Sequence, residues 1–330
     1  MRDDRPGVGR PKRPGARNVP APGAALARVT CSRRRPRTGH EEGRFRRTFV
    51  SGPRRPEGDI HATVTDHDPS PRRELPTDPS SLEPMGELFD AALEAGLDEL
   101  GLAESGAGSQ PARRSYEAHA RLLRDWNKAI NLTAIRDPAG IARRHVCDSL
   151  TAVSPLASVI GPEAALLDIG SGGGYPGLTL AAALPLGRVC LLDSVAKKAR
   201  FLATAASAVT SALGEHGTEL PTIEVVAERA EDQAEEPDQR AAWDVVTTRA
   251  VGSLAEVLEL GLPMAREGGV VVAWKREEAH DGLRAELRDA GSIIRAAGGG
   301  RPEVIDVSTP KLPGHRLVVV TKERSTPPAY

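Results

Sequence analysis

The apolar run Ala165 to Ile169 leads without a break into Asp168-Ile169-Gly170-Ser171-Gly172-Gly173-Gly174-Tyr175-Pro176-Gly177, and a helix is expected to start near Leu178. Continuous apolar runs of this length suit strands covered on both faces. Four glycines in five positions allow a tight turn and close approach of a ligand, and the free N–H groups of a helix start favour an anionic group. The stretch therefore predicts a strand, a binding turn and a helix in succession. Similar runs follow at Val189 to Leu192, Ile223 to Ala227, Val245 to Thr248 and Val270 to Ala273, separated by segments such as Ala196 to Leu213 and Leu254 to Ala265 that are long enough for crossover helices. This alternation predicts an α/β, Rossmann-like fold with a doubly wound, mainly parallel sheet. Arg316 to Thr321 follows the short turn Pro313-Gly314 and is expected to run antiparallel at the edge.

The preceding chain is of two kinds. Residues 85–155 read as a helical region, with Leu88, Phe89, Ala92, Leu93, Leu97, Leu100 and Leu102 at three- and four-residue spacing. A break at Gly106 to Pro111 precedes a second helix carrying Tyr116, Ala120, Leu123, Trp126 and Ile130, ended by Asn131-Leu132-Thr133. Asp137-Pro138 then has the form of a helix cap and first turn, with Ile141, His145 and Leu150 on one face. Residues 1–84 differ: they hold 18 Lys+Arg against 11 Asp+Glu and 13 of the 27 prolines, while the remainder holds 26 against 34. So proline-rich and apolar-poor a segment cannot offset the entropy of ordering its backbone, and it is expected to be a disordered basic tail. Its Arg33-Arg34-Arg35, Arg46-Arg47, Arg54-Arg55 and Arg72-Arg73 clusters read either as an arm for phosphates or as a solvated extension ahead of Met85. Residues 156–330 are the expected ligand-binding domain.

Several classes are excluded by the same residues. No apolar run approaches the roughly 18 to 20 residues that span a bilayer, and no secretory signal is evident. Cys31, Cys147 and Cys190 are too scattered for a disulfide framework or a zinc site. A cytoplasmic protein without membrane or metal partners is expected.

The glycine turn narrows the ligand. A dinucleotide fingerprint needs a glycine three positions after Gly172, where Tyr175 stands, and a Walker loop needs a closing Gly-Lys-Ser/Thr. Asp168 would be a poor neighbour for a pyrophosphate and suits a cationic group. S-adenosylmethionine carries such a group together with a carboxylate, a ribose diol and an adenine. Asp193, 23 residues after Gly170 at the end of the second strand, is placed to accept from ribose hydroxyls, with Ser194 beside it, and Ala230-Glu231 would face the adenine.

Read in order, Asn131-Leu132-Thr133, His145 with Asp148-Ser149-Leu150, the loop Asp168 to Gly177, Leu192-Asp193-Ser194, Lys197-Lys198, Phe201-Leu202, Arg229-Ala230-Glu231, Thr248-Arg249-Ala250, Ala273-Trp274-Lys275 and Gly314-His315-Arg316 resemble the RsmG (GidB) family over roughly Trp126 to Lys322. That family methylates guanine N7 in 16S ribosomal RNA, so the resemblance implies a class I methyltransferase using S-adenosylmethionine. It further implies cofactor positions at Gly170, Tyr175, Asp193, Ser194, Ala230, Glu231 and Arg249, with Arg249 also the catalytic candidate beside the reacting base; the turn itself adds Asp168, Gly172 and Gly174 to the expected cofactor site. Tyr175 departs from the commoner Phe or Leu, and Trp274 from the commoner Leu.

Guanine N7 has an exposed lone pair, so its methylation needs alignment more than a general base. No Asp/Asn-Pro-Pro-aromatic motif for exocyclic amines is present at Thr247 to Ala250, and Cys147 and Cys190 read as packing residues. Arg249 is expected to contact guanine O6, a phosphate or the cofactor carboxylate, and its removal to spare the fold. His145 reads as an RNA contact or as a structural histidine bonded to Asp148. The expected partner is 16S rRNA or the small ribosomal subunit, reached through Arg143-Arg144, Lys197-Lys198-Arg200, Lys275-Arg276 and Lys311 to Arg316, with the chain acting as a monomer. A small-molecule methyltransferase and a non-catalytic ribosome-binding module are the alternatives, and a nicotinamide dehydrogenase is the weakest.

Overall fold

The computed structural model describes residues 28–30, 74–214, 220–277 and 282–328. Its centre is an eight-stranded sheet of β1 (Arg28–Thr30), β2 (Ala164–Ile169), β3 (Leu186–Leu192), β4 (Thr222–Val226), β5 (Trp243–Arg249), β6 (Ala265–Arg276), β7 (Glu303–Asp306) and β8 (His315–Thr321). In space the order is β1-β4-β3-β2-β5-β6-β8-β7. Pairs among the first six strands are parallel, and β8 runs antiparallel to both β6 and β7. The antiparallel direction of Arg316 to Thr321 is as expected, but β7, which the sequence did not announce, lies outside it. That strand is four residues long and mostly exposed, so it lacks the apolar run that marks the others.

Helices α1 (Glu87–Glu99), α2 (Gln110–Trp126), α3 (Pro138–Ile141), α4 (Asp148–Leu150) and α5 (Val153–Ala157) precede β2. Helices α6 (Gly177–Ala183), α7 (Ala196–Gly214), α8 (Ala230–Glu235), α9 (Leu254–Met264) and α10 (Gly282–Ala296) join the later strands. Successive strand residues point to opposite faces, and both faces are covered. Leu166, Val189, Leu191 and Val245 pack under Leu123, Phe201, Leu202 and Val209, while Val246, Val271, Val318 and Val320 pack under Leu254, Leu258, Leu262 and Ile294. The first of these clusters also takes in Phe89, Leu97 and Trp126, so the N-terminal helices and the sheet share one core across residue 155.

Order begins before Met85. Trp126 Nε1 donates to the Pro76 carbonyl at 2.7 Å, and Arg124 donates to the carbonyls of Glu83 and Pro84 at 2.6 and 3.0 Å. Apart from residues 74–84 and Arg28–Thr30, the latter paired with Glu224–Val226, the expected tail and its arginine clusters lie outside the described residues.

Helix α2 stops at Trp126, earlier than its apolar spacing suggests. Asn127 Oδ1 accepts from the amides of Leu132 and Thr133 at 2.8 and 3.0 Å, and its Nδ2 donates to the Thr133 carbonyl at 2.9 Å. One side chain thus shapes the turn that follows, and Ile130 falls outside the helix. Asp137 caps α3 as expected, accepting from the Gly140 amide at 2.6 Å. Between α3 and α4, residues Ala142–Cys147 form a π-helical stretch, a wider turn that often marks functional positions. It presents His145 and Asp148 toward the carboxyl edge of the sheet.

Lys322 follows β8 and is 1% exposed. Its Nζ donates to the carbonyls of Leu262 and Ala297 at 2.5 and 2.8 Å and to Thr326. A cation there satisfies carbonyls at the ends of α9 and α10 and opposes their negative dipole ends. Lys322→Met removes the donor to the Leu262 carbonyl, while Thr326 Oγ1 still donates to the Ala297 carbonyl at 2.8 Å; it is expected to cost about 2–3 kcal/mol in urea denaturation, with the glycine turn undisturbed.

Candidate active site

The switch point of the sheet lies between β2 and β5, where chain connections depart in opposite directions and ligands of open parallel sheets bind. The glycine turn stands at that point. Gly170, Gly172 and Gly174 have φ of +70°, +54° and +84°, a region that costs ordinary residues energy. Gly177 answers to a close approach instead: a Cβ there would lie 2.5 Å from Leu191 and 2.8 Å from Asp168 Oδ2.

Asp168 is fully buried beneath the turn. Its Oδ1 accepts from Thr247 Oγ1 at 2.8 Å, and its Oδ2 from the Gly177 amide at 3.2 Å. Burial pushes its carboxyl up to about 6, against hydrogen bonds from Thr247, Ser171 and Gly177 that favour the charged form. The carboxylate therefore ties β2 to β5 and to α6 and sits back from the cavity. The helix amides expected to face an anion are also engaged, Gly177 N with Asp168 and Leu178 N with the Gly174 carbonyl at 2.9 Å. Within the turn, Gly170 N and Ser171 N donate to Leu192 O, Gly172 N to Asp193 Oδ2 at 3.0 Å, and Gly174 N to Ser171 O.

A cavity of about 280 Å³ opens over the turn, lined among others by Gly170, Gly172, Tyr175, Lys198, Arg249 and Ala250. Asp193 follows β3 beside it, outside its lining, and its Oδ1 accepts from the Val195 amide at 2.9 Å. A carboxylate offers about four lone-pair sites, so roughly two stay available. Ser194 is exposed beside it. Ala230 and Glu231 open α8 beyond β4, outside the lining of this cavity but one strand further along the same edge.

The wall of the cavity is an aromatic stack. Tyr175 lies between His119 and His145, with ring centroids 4.3 and 4.8 Å away and nearly parallel planes. His119 Nε2 donates to the Gly173 carbonyl at 2.8 Å, which fixes its tautomer. His145 Nε2 donates to Thr133 Oγ1 at 2.8 Å, leaving Nδ1 to accept from Arg249 Nη2 at 3.2 Å. Burial holds His119 down to about 4, and burial with the Arg249 charge holds His145 down to about 3. Both rings are neutral at pH 7. His119 was missed in the sequence, where it appears as one more residue on the buried face of α2.

Arg249 leaves β5 with its side chain 14% exposed. Its Nη1 donates to Asp148 Oδ2 at 2.9 Å, with the Arg144 and His145 carbonyls at 3.3 and 3.5 Å. The guanidinium carbon stands 5.6 Å from the Tyr175 ring centroid. His315 Nδ1 donates to the other Asp148 oxygen at 2.8 Å, and Trp274 Nε1 to the Asp148 carbonyl at 2.9 Å. Two expectations change. The partners of Asp148 are Arg249 and His315 and not His145, and Arg249 is a fastening of the fold as well as a cavity residue, so its removal is expected to cost stability. Among the described residues no group of His, Cys, Asp or Glu could hold a metal, and no helix is long and apolar enough to cross a membrane. Cys147 and Cys190 are buried and free, and burial raises both thiols to about 12.

A doubly wound sheet with a glycine turn after β2, an acid after β3 and a cationic side chain at the end of β5 defines a Rossmann-like nucleoside-binding fold. Residues 113–293 match the family described as rRNA small subunit methyltransferase G, GidB. The chain is 38% identical over 216 residues to "Ribosomal RNA small subunit methyltransferase G" of Dehalococcoides mccartyi (strain CBDB1), covering 65% of this chain and 85% of that one. It is 35% identical over 245 residues to the protein of the same name from Symbiobacterium thermophilum, covering 73% and 95%. Among solved structures it is similar to the antibiotic-resistance methyltransferase Kmr, with a TM-score of 0.36 and 19% identity over 52% of this chain and 92% of that one. The chain belongs to the GidB family and is a methyltransferase.

Two outcomes follow from the geometry. Arg249→Met and Asp148→Asn are each expected to cost about 3 kcal/mol, since each leaves a buried partner uncompensated. The double variant should fall short of the sum by about 2 kcal/mol in a urea-denaturation cycle; additive losses would mean that the pair is not coupled. For pH, the unfolded chain takes up protons on His119 and His145 below about 6.5 while the folded chain does not, so the thermal midpoint should fall as pH drops from about 6.5 toward 4. Asp168, raised in the folded state, acts in the opposite sense between about 4 and 6, one carboxyl against two imidazoles. His119→Gln should flatten the decline.

Proposed function

We propose that this chain, acting as a monomer, transfers the methyl group of S-adenosylmethionine to N7 of a guanine in the 16S rRNA of the small ribosomal subunit. The observation that carries this reading is the state of the glycine turn. Five of its amides, at Gly170, Ser171, Gly172, Gly174 and Gly177, are already bonded within the protein. A phosphate site needs such amides free, so the turn suits a ligand recognised by fit and by carboxylates.

The residues present fit S-adenosylmethionine. The turn, Asp193 and Ala230-Glu231 stand at the ends of three adjacent strands, β2, β3 and β4, which lie roughly 4.8 Å apart. They supply in sequence a close-approach surface, a carboxylate for a diol and a small flat surface for a base. Tyr175 adds a buried hydroxyl without a partner, and Lys198 and Arg249 supply positive charge for a carboxylate. When bound, this cofactor supplies a methyl group activated by a positively charged sulfur.

The chain's own task is positioning. N7 carries a lone pair at neutral pH, so no side chain has to remove a proton before attack. The neutral state of His119 and His145 is in keeping with this: neither is poised as an acid or base near pH 7, and both brace Tyr175. Alignment of two bound reactants and exclusion of water supply the acceleration. Because positive charge moves onto the base, the Arg249 guanidinium is better spent on Asp148 and His145 than against N7, and its contacts have that arrangement.

Calorimetry should show the purified chain binding S-adenosylmethionine and ignoring NADH and ATP. With labelled cofactor and small subunits lacking the modification, label should appear on N7 of one guanine. Binding of a nicotinamide or nucleotide triphosphate in place of the methyl donor, or label on an exocyclic amine, would overturn the assignment.

A further inference from the structure

A second cavity, also of about 280 Å³, lies on the other side of Arg249, between the ends of β5 and β6 and the start of β8. Arg249 and Ala250 line both cavities, which adjoin there. Ala250 has φ of +58°, a left-handed conformation that a non-glycine residue holds only where its surroundings impose it, and such strain gathers at functional turns.

The walls of this cavity mix apolar surface with one unexplained polar group. Val257, Ala273 and Trp274 supply the apolar part, and the indole is fixed by its bond to the Asp148 carbonyl. Thr248 is 2% exposed, and its hydroxyl has no hydrogen-bond partner. A buried hydroxyl without a partner is a cost that valine, of the same shape, would avoid, and a group in that state calls for an occupant. At the rim, Arg276 is exposed and has no ion-pair partner among the described residues.

An occupant must therefore be flat and partly apolar, carry a hydrogen-bonding edge, and be tethered to an anion. A nucleobase on a phosphodiester chain meets all three conditions. A space of this size is just below the range of roughly 300–1,000 Å³ typical of small-molecule sites, enough for one base and too small for a stacked pair. Bases read by proteins in RNA are commonly splayed from single-stranded segments into such pockets.

Resting on the function proposed above, we propose that this cavity receives the guanine to be methylated. Its five-membered ring lies toward Ala250, where the two cavities adjoin, clear of the Arg249 guanidinium that Asp148 and His145 hold; its Watson–Crick edge meets the Thr248 hydroxyl, and its phosphate meets Arg276. Thr248 accepts from N1–H or the 2-amino group, a contact that adenine cannot offer in the same place. In the transfer the N7 lone pair forms the new carbon–nitrogen bond as the carbon–sulfur bond breaks, and no proton moves, so Thr248 acts as a binding group only.

The test compares the full chain with Thr248→Val, Thr248→Ser and Arg276→Ala. The measurements are cofactor affinity by calorimetry, thermal midpoint, and steady-state methyl transfer to small subunits lacking the modification. Thr248→Val is expected to keep or raise the thermal midpoint and keep cofactor affinity, yet to lose about tenfold in kcat/KM, the loss of one hydrogen bond. Thr248→Ser should restore most of that loss, and Arg276→Ala should raise KM with little change in kcat. The inference falls if Thr248→Val methylates as the wild type does, if its thermal midpoint drops, or if its cofactor affinity falls in step with its rate. Failure of the wild type to bind S-adenosylmethionine or to label subunits is a different result, which removes the proposed function itself.

Discussion

Asp148 is 5% exposed, and a carboxylate so placed has to be paired, because an uncompensated buried charge is far costlier than a missing contact. Its partners come from three distant parts of the chain. Arg249 ends β5, His315 opens β8, and Trp274 in β6 binds the Asp148 carbonyl. The strand register sets this up: Arg249 lies opposite Trp274, and Arg276 opposite His315. Three neighbouring strands therefore bring their side chains to one point, and the helical layer that carries Asp148 is pinned across the carboxyl edge of the sheet. Both cavities exist because that layer is held there.

The second consequence runs through His145. Arg249 donates to its Nδ1, which forces the proton onto Nε2 and directs that nitrogen to Thr133. The ring so fixed forms one side of the Tyr175 stack, while His119, bonded to the Gly173 carbonyl, forms the other. The glycine turn is then held from both ends: from below by Asp168 and from above by a stack anchored in α2 and in the π-helical stretch. Neutral imidazoles suit this role. A charged ring would sit beside the Arg249 guanidinium, and the same repulsion and burial that hold His145 down to about 3 are what keep the stack free of extra charge.

Much of this was legible in the sequence, and the limits have physical causes. Six strands were marked by their continuous apolar runs, because burial on both faces leaves that signature. The glycine turn and Asp193 were readable because their spacing is local. Pairings between distant residues were not: Asp148 stands three positions after His145, within reach on a helix, yet its partners lie 101 and 167 residues away. The π-helical turn changed which residues share a face, and no residue type announces such a turn. His119 hid in the apolar stripe of α2 because a neutral, stacked histidine occupies the same kind of position as a phenylalanine. β7 went unseen because an exposed four-residue edge strand has no periodic burial to display.

Charge on the RNA side is more restrained than the sequence suggests. Several of the basic clusters are spent internally: Arg144 stands 3.6 Å from Asp137, Lys275 2.6 Å from Glu286, and Arg316 2.6 Å from both Glu277 and Asp306. A cation already paired with a carboxylate releases fewer counterions on meeting a phosphate than a free one. Exposed pairs such as Arg144–Asp137 are weak enough to exchange partners, whereas Lys275, 14% exposed, is held. Recognition of a polyanion by a body whose residues 85–330 carry more acids than bases therefore has to rely on a few unpaired groups at the right place and on the shape of a base. That favours a substrate presented by an ordered RNA surface over non-specific capture along a strand.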